Sequence, residues 1–135
     1  MEKRSNFLLS KWYLDCVSAD GDVFIGYVAE LRWSGPSIHY SSTLKYHEGQ
    51  PITTTTSLRK SQPMVANSTI EWKSPNLQVA GCWEADAQTI ERTMLESEHG
   101  EIRWSCLQPR STVRIAVGNE TMEGLGYVED RKSVV

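Results

Sequence analysis

The sequence predicts an all-β protein, an antiparallel up-and-down barrel of eight to ten strands with little helix. Three observations predict it. Short β-type runs, each closed by a turn signal, succeed one another from Leu9 to Glu129. Two of these runs alternate at period two, as half-buried strands do, and no stretch carries a convincing amphipathic-helix pattern. With 135 residues the chain can build a proper core, so the expectation is a single barrel domain over 1–135.

The first strand is expected over Leu9–Ser18, ending in the hairpin turn Ala19-Asp20-Gly21-Asp22. The second places Val23, Ile25, Tyr27, Ala29, Leu31 and Trp33 on one face, expected to be inward, with Glu30 and Arg32 outward. Ser34-Gly35-Pro36 then turns the chain, and Ile38, Tyr40, Ser42, Leu44 and Tyr46 share a face of the third strand. Four consecutive threonines favour a fourth strand over Ile52–Leu58, before a long loop, Arg59–Asn67. Further strands are expected at Ser68–Lys73, Leu77–Glu84, Thr89–Ser97, Glu101–Leu107, Thr112–Val117 and Met122–Glu129. Gln108-Pro109-Arg110 reads as a turn, and 130–135 as a loose tail. Asp86–Glu98 can also be drawn as a helix, with Ala87, Ile90 and Met94 at helical spacing, but its strand neighbours favour a strand.

Composition narrows the function. A net charge of −3 and the lack of a face of Lys and Arg with interleaved aromatics argue against nucleic acid. No run approaches the roughly 20 apolar residues of a membrane-spanning helix, and Phe7–Leu9 is too short for a signal-peptide core. Three cysteines, an odd number, suit a reducing compartment, and the expected location is cytoplasmic. Trp and Tyr, five of each against two Phe, bring aromatic bulk with a polar handle, which suits half-wet cavities as well as cores.

Little in the chain spells out a reaction. His39, His47 and His99 form no metal-ligand motif and read as surface or turn histidines, so no metal or cofactor is expected. Cys16, Cys82 and Cys106 read as buried thiols acting as small apolar groups. Gly124-Leu125-Gly126 precedes no helix and is no dinucleotide motif. Asp15, Glu30, Glu84 and Glu129 lie within or at the ends of strands. Any of them facing an apolar cavity would have a raised pKa and serve as a general acid. Tyr27, Tyr40 and Tyr127 can donate a hydrogen bond to a ligand, and Trp33, Trp83 and Trp104 are expected among the lining aromatics.

Two segments carry a more specific signal. One is Trp12-Tyr13-Leu14-Asp15 followed by Asp20-Gly21. The other is Ile102-Arg103-Trp104, Pro109-Arg110-Ser111-Thr112-Val113, then Gly124-Leu125-Gly126-Tyr127-Val128-Glu129. Together they resemble the lipocalin-like carotenoid hydratases (hydroxyneurosporene synthases) and AttH-like proteins, in the N-terminal of that family's two barrels. The resemblance implies a calycin, or lipocalin-like, fold, an apolar or polyene-like ligand, and chemistry that begins by protonating a carbon–carbon double bond. Trp12, Tyr13 and Asp15 match its opening motif, and Gly126, Tyr127 and Glu129 its closing one. The chain departs from it at Asp130, where the enzymes tend to place His, and at Val135, where the second barrel would begin.

The functional expectation is therefore binding of a small apolar ligand, with Tyr13, Tyr27, Trp33, Tyr40, Trp83, Trp104 and Tyr127 lining the site. The alternative is an acid-catalysed hydratase, isomerase or cyclase using Asp15 and Glu129. A third reading is a structural or interaction domain whose interior is filled. A lone barrel resembling half of a two-barrel family is also expected to pair as a homodimer. Since a meander barrel closes by pairing its first and last strands, Trp12–Asp15 and Gly126–Glu129 are expected side by side.

Overall fold

The computed structural model describes residues 7–85, 89–98 and 100–134. Its strands are β1 (Phe7–Ser18), β2 (Val23–Trp33), β3 (Ser37–Tyr46), β4 (Thr53–Ser57), β5 (Met64–Ala66), β6 (Thr69–Ser74), β7 (Val79–Ala85), β8 (Ile90–Ser97), β9 (Gly100–Val117) and β10 (Glu120–Val134). Pro75–Leu77 is a 3-10 turn, and the described residues include no α-helix. Every strand pair is antiparallel, in the order β4-β3-β2-β1-β10-β9-β7-β6-β5, and β8 also lies against β9. The first and last strands therefore do meet. The sheet curls into a half-barrel.

The curl is bridged by side chains where β4 and β5 form its two edges. The segment 58–63 links these strands. Asn76 Nδ2 donates to Ser57 Oγ at 3.3 Å, Trp72 Nε1 to the Ser61 carbonyl at 3.3 Å, and Gln62 Nε2 to Glu30 Oε2 at 2.5 Å.

The element boundaries differ from the sequence expectation in three places. Gln108-Pro109-Arg110 is not a turn: β9 runs through it for 18 residues. Proline has no N–H for a ladder and is tolerated at bulges. Here the pairing with β10 shifts register on both sides of Val128, so the extra residues of β9 fall at 107 and 109–110. At this point β9 also changes neighbour, from β8 up to Cys106 to β7 from Ser111. The expected tail is strand as far as Val134. The expected long loop contains β5. The stretch weighed as a helix is strand from Ile90 to Ser97, while residues 86–88 and His99 lie outside the described residues.

The larger correction concerns faces. The stripe Val23, Ile25, Tyr27, Ala29, Leu31 and Trp33 points away from the core: Tyr27 is 48% exposed and Trp33 70%. Phe24, Gly26 and Val28 point inward instead. Both faces of β2 are apolar enough to be buried, so period two alone does not choose between them. Packing does. Trp72 reaches across the half-barrel from β6 to β2, where its ring lies over Gly26 and beside Phe24, with ring centroids 6.4 Å apart. A Cβ at Gly26 would stand 2.6 Å from Trp72 Cζ3, and one at Gly81 would stand 2.6 Å from Trp83 Cζ3. The two indoles thus fill hollows that only glycine leaves open. Leu14, Cys16, Ile70, Leu77, Val79, Val113, Ile115, Met122 and Val128 complete this core. Burial pushes the Cys16 thiol up to about 11.

At one end of the sheet, His47 joins two turns. Its Nδ1 meets Asp22 Oδ1 at 2.9 Å and its Nε2 meets Glu120 Oε2 at 2.8 Å, while Lys45 also pairs with Glu120. Hydrogen bonds to Asp22 and then Glu120 raise the His47 pKa, and Lys45 and His47 lower that of Glu120.

Two predictions follow from packing and charge. Gly26→Ala should destabilise by roughly 1–3 kcal/mol through overpacking, and Trp72→Phe should cost less in that background than in wild type. Urea denaturation of the four proteins tests this, and additive effects would contradict it. For His47 the folded pKa lies above its ordinary 6.5. Its stabilisation is then complete below that value and declines as pH rises through the folded pKa. Thermal melts from about pH 6 to about pH 8 should show a steeper loss in wild type than in His47→Gln. Parallel profiles would show that the histidine contributes no such linkage.

Candidate functional site

The β1–β10 seam brings the two sequence motifs together. Tyr13 lies directly opposite Glu129 across that seam and opposite Tyr27 on β2. Period two then puts Tyr13, Asp15, Tyr27, Tyr127 and Glu129 on one sheet face, the outer one. The Tyr13 ring sits edge-on to Tyr27 and Tyr127, at centroid separations of 5.4 and 6.0 Å. Both acids are held by hydroxyls: Tyr13 donates to Asp15 Oδ2 at 2.8 Å, and Tyr127 donates to Glu129 Oε2 at 2.7 Å. Trp104 Nε1 donates to that same Glu129 oxygen at 2.7 Å. From beneath, Trp83 Nε1 donates to the Asp15 carbonyl at 2.8 Å, tying the core to this face.

Although outward, the cluster is not a solvated edge. Tyr13, Asp15, Trp104, Tyr127 and Glu129 are all half-buried. Burial raises the Asp15 carboxyl above its ordinary value, against the Tyr13 hydroxyl and the Tyr127 backbone N–H, which favour the charged form. Burial alone raises it, and no neighbouring acid contributes. Burial, and then the bond to Asp15, raises Tyr13, while burial, then Glu129 and Cys106, raise Tyr127.

Of the residues expected to line a site, Tyr13, Asp15, Tyr27, Trp104, Tyr127 and Glu129 thus gather in one place. Tyr40, 44% exposed, lies on the same face one strand beyond Tyr27, opposite Ala29. Trp33 stands apart at the end of β2, and Trp83 belongs to the buried core on the other face.

Sequence reasoning missed the inward acid. Asp130 shares the core face with Val128 and is 6% exposed. Trp12 and Ser105 flank it across its two neighbouring strands, and Lys132 Nζ lies 3.8 Å away. Burial raises its carboxyl. Extending the alternation past Val128 would have found it, had 130–135 not been read as tail.

Next to the cluster the same face opens a hollow of about 390 Å³ lined by Leu9, Lys11, Met94, Leu95, Ile102, Arg131 and Ser133. Lys11 lies one face-step from Tyr13 and Leu9 two, while Arg131 lies one step from Glu129 and Ile102 one from Trp104. A second hollow of about 850 Å³, with Val17, Cys82, Arg114 and Leu125 among its lining, lies at the other end of the outer face. Neither hollow is lined by Trp72 or Trp83. Among the described residues no group of three or more His, Cys, Asp or Glu is placed to hold a metal ion. Nor is any helix there long and apolar enough to cross a membrane.

The architecture is that of an AttH-like half-barrel. The chain is similar over 96% of its length to a crystal structure of a putative AttH from Nitrosomonas europaea, with a TM-score of 0.59 and 8% identity. It covers 51% of that protein, so it spans about half its length. At this identity the likeness establishes the fold and nothing finer. No protein-family model matches the chain, and no curated protein matches it in sequence.

The tyrosine bonds give a direct spectroscopic expectation. Each hydroxyl donates to a carboxylate, so its ionisation is pushed above the ordinary 10.0. Alkaline titration of tyrosinate absorbance should show two late tyrosines, with Tyr13→Phe and Tyr127→Phe each removing one. Full titration near pH 10 without unfolding would contradict the hydrogen-bonded arrangement.

Proposed function

We propose that the protein binds a small apolar ligand, extended and polyene-like, on the aromatic outer face of the β1–β10 seam. The observation that carries this reading is the convergence of Tyr13, Tyr27, Trp104 and Tyr127 around two hydrogen-bonded carboxylates beside an apolar hollow. Partly exposed aromatic surface favours an apolar molecule through area removed from water, about 25 cal/mol per Å². A few fixed polar groups then orient it. The filled interior supports this location over the barrel centre: Trp72 and Trp83 occupy the space a lumenal ligand would need.

Native mass spectrometry of protein purified from its host should report a co-purifying apolar molecule. Displacement of an environment-sensitive apolar dye gives the affinities. Trp104→Ala should weaken dye binding by about tenfold, and Trp33→Ala, away from the cluster, by far less. A wild-type protein that binds no apolar probe would refute the reading.

A second reading is favoured by the raised Asp15 carboxyl. In this acid-catalysed hydratase or isomerase, a protonated Asp15 gives its proton to one alkene carbon. The resulting cation either takes up water, which then releases a proton to solvent to leave the alcohol, or loses a different proton to leave the isomeric alkene, and Asp15 is reprotonated from solvent. Asp15→Asn would abolish such turnover and leave ligand binding in place, whereas unchanged turnover would exclude Asp15 as the acid. For assembly, the exposed Trp33, Ile38 and Tyr40 favour a homodimer, and light scattering reads this directly.

A further inference from the structure

The outer face can be read in rows, because residues directly opposite one another in antiparallel strands share a face. One row runs Leu95, Ile102, Ser133, Leu9, Leu31, Ile38 from β8 to β3. The next runs Arg92, Trp104, Arg131, Lys11, Ala29, Tyr40. The first is almost wholly apolar. The second places three cations on three strands, with Lys11 and Arg131 directly opposite each other.

Like charges in direct cross-strand register destabilise a sheet unless something neutralises them. Among the described residues nothing does: neither Lys11 nor Arg131 forms an ion pair. The acid beside them on this face, Glu129, has its Oε2 engaged by Tyr127 and Trp104. Both cations line the hollow of about 390 Å³ whose other walls are Leu9, Met94, Leu95 and Ile102. That volume lies within the range of small-molecule sites, roughly 300–1,000 Å³.

We infer that this hollow binds an amphipathic carboxylate, with the anionic head between Lys11 and Arg131 and the alkyl chain along Leu9, Leu95 and Ile102. The inference rests on the ligand-binding reading and adds a head-group class to it. Charge complementarity selects the head, since an arginine fork and an ammonium both donate to carboxylate oxygens. The adjoining apolar row selects the tail. Arg92 stands beyond Trp104 in the same cationic row. Met94 is the extra residue of a bulge in β8 and stands 63% exposed, an unbranched side chain able to settle against a bound chain.

Isothermal titration with dodecanoate and with dodecanol, both below their self-association thresholds, separates head from tail. Wild type should bind dodecanoate about tenfold or more tightly than dodecanol, and the preference should shrink as salt is raised. In Lys11→Gln/Arg131→Gln the preference should disappear while dodecanol binding persists. Both positions are exposed, so the variant is expected to fold. Circular dichroism checks this, and the single variants, each losing part of the preference, provide a second route. Equal affinity for the two amphiphiles in wild type would overturn the anion site and leave apolar binding standing. A preference that survives the double substitution would overturn it as well, placing the carboxylate elsewhere. If neither amphiphile binds and the apolar dye also fails, the ligand-binding reading falls together with the inference.

Discussion

The contact of Trp72 with Gly26 decides which side of this sheet is inside. An indole on β6 reaches β2 only because no Cβ stands in its way, and the contact draws the two walls of the half-barrel together. Trp83 over Gly81 repeats the arrangement on β7. Once these rings occupy the core face, the alternation of every strand is fixed, and Tyr13, Asp15, Tyr127 and Glu129 must lie opposite, while Asp130 falls on the core side. Trp83 then does a second job. Its ring nitrogen holds the Asp15 carbonyl, so the strand that carries Tyr13 and Asp15 is anchored from the core side.

The interior is a packed core, and the hydrogen-bonded tyrosines and carboxylates of β1 and β10 sit on the outer surface of the curl. They are nonetheless half-buried, with aromatic rings packed beside them along the seam. An acid in that setting is partly desolvated, which is why Asp15 is shifted upward while lying on the outer face. The Nitrosomonas protein shares the architecture over about half of its own chain, and at 8% identity the side chains on this face owe nothing to that comparison.

The sheet and its seam were legible in the sequence because turns are written locally. Gly21 takes a positive φ in its hairpin turn, and the alternation from Val23 to Trp33 marks a strand whichever face is buried. The choice of face was not legible. Tyr27 and Trp33 look like core residues beside Glu30 and Arg32, and only the distant partner Trp72 makes Gly26 the buried position. Pro109 misled for a related reason. A proline between two β runs signals a turn when each run is considered alone. Across the sheet, β10 pairs with both runs and absorbs the extra residues as bulges. Asp130 was lost with it, because a tail was expected where β10 continues. Tyr13 and Glu129 were placed together correctly because that inference used topology, which the count of strands constrains, rather than side-chain direction.

The pairing of β1 with β10 also has a bearing on how the molecule comes to be made. Strands β2 to β4 can assemble on β1 as soon as they leave the ribosome, but the other flank of β1 must wait for the strand synthesised after all nine of its companions. Until then a 12-residue strand presents a row of open amide and carbonyl groups on one side. Such an edge invites pairing with another nascent chain. Contacts between segments so far apart in sequence also form slowly, because the intervening chain must first be ordered. The lysine at position 11 and the aspartate at position 15 stand along that exposed flank, and charge on an unpaired strand is a recognised guard against wrong partners. The residues proposed to receive a ligand in the finished sheet are thus also suited to keep its precursor soluble.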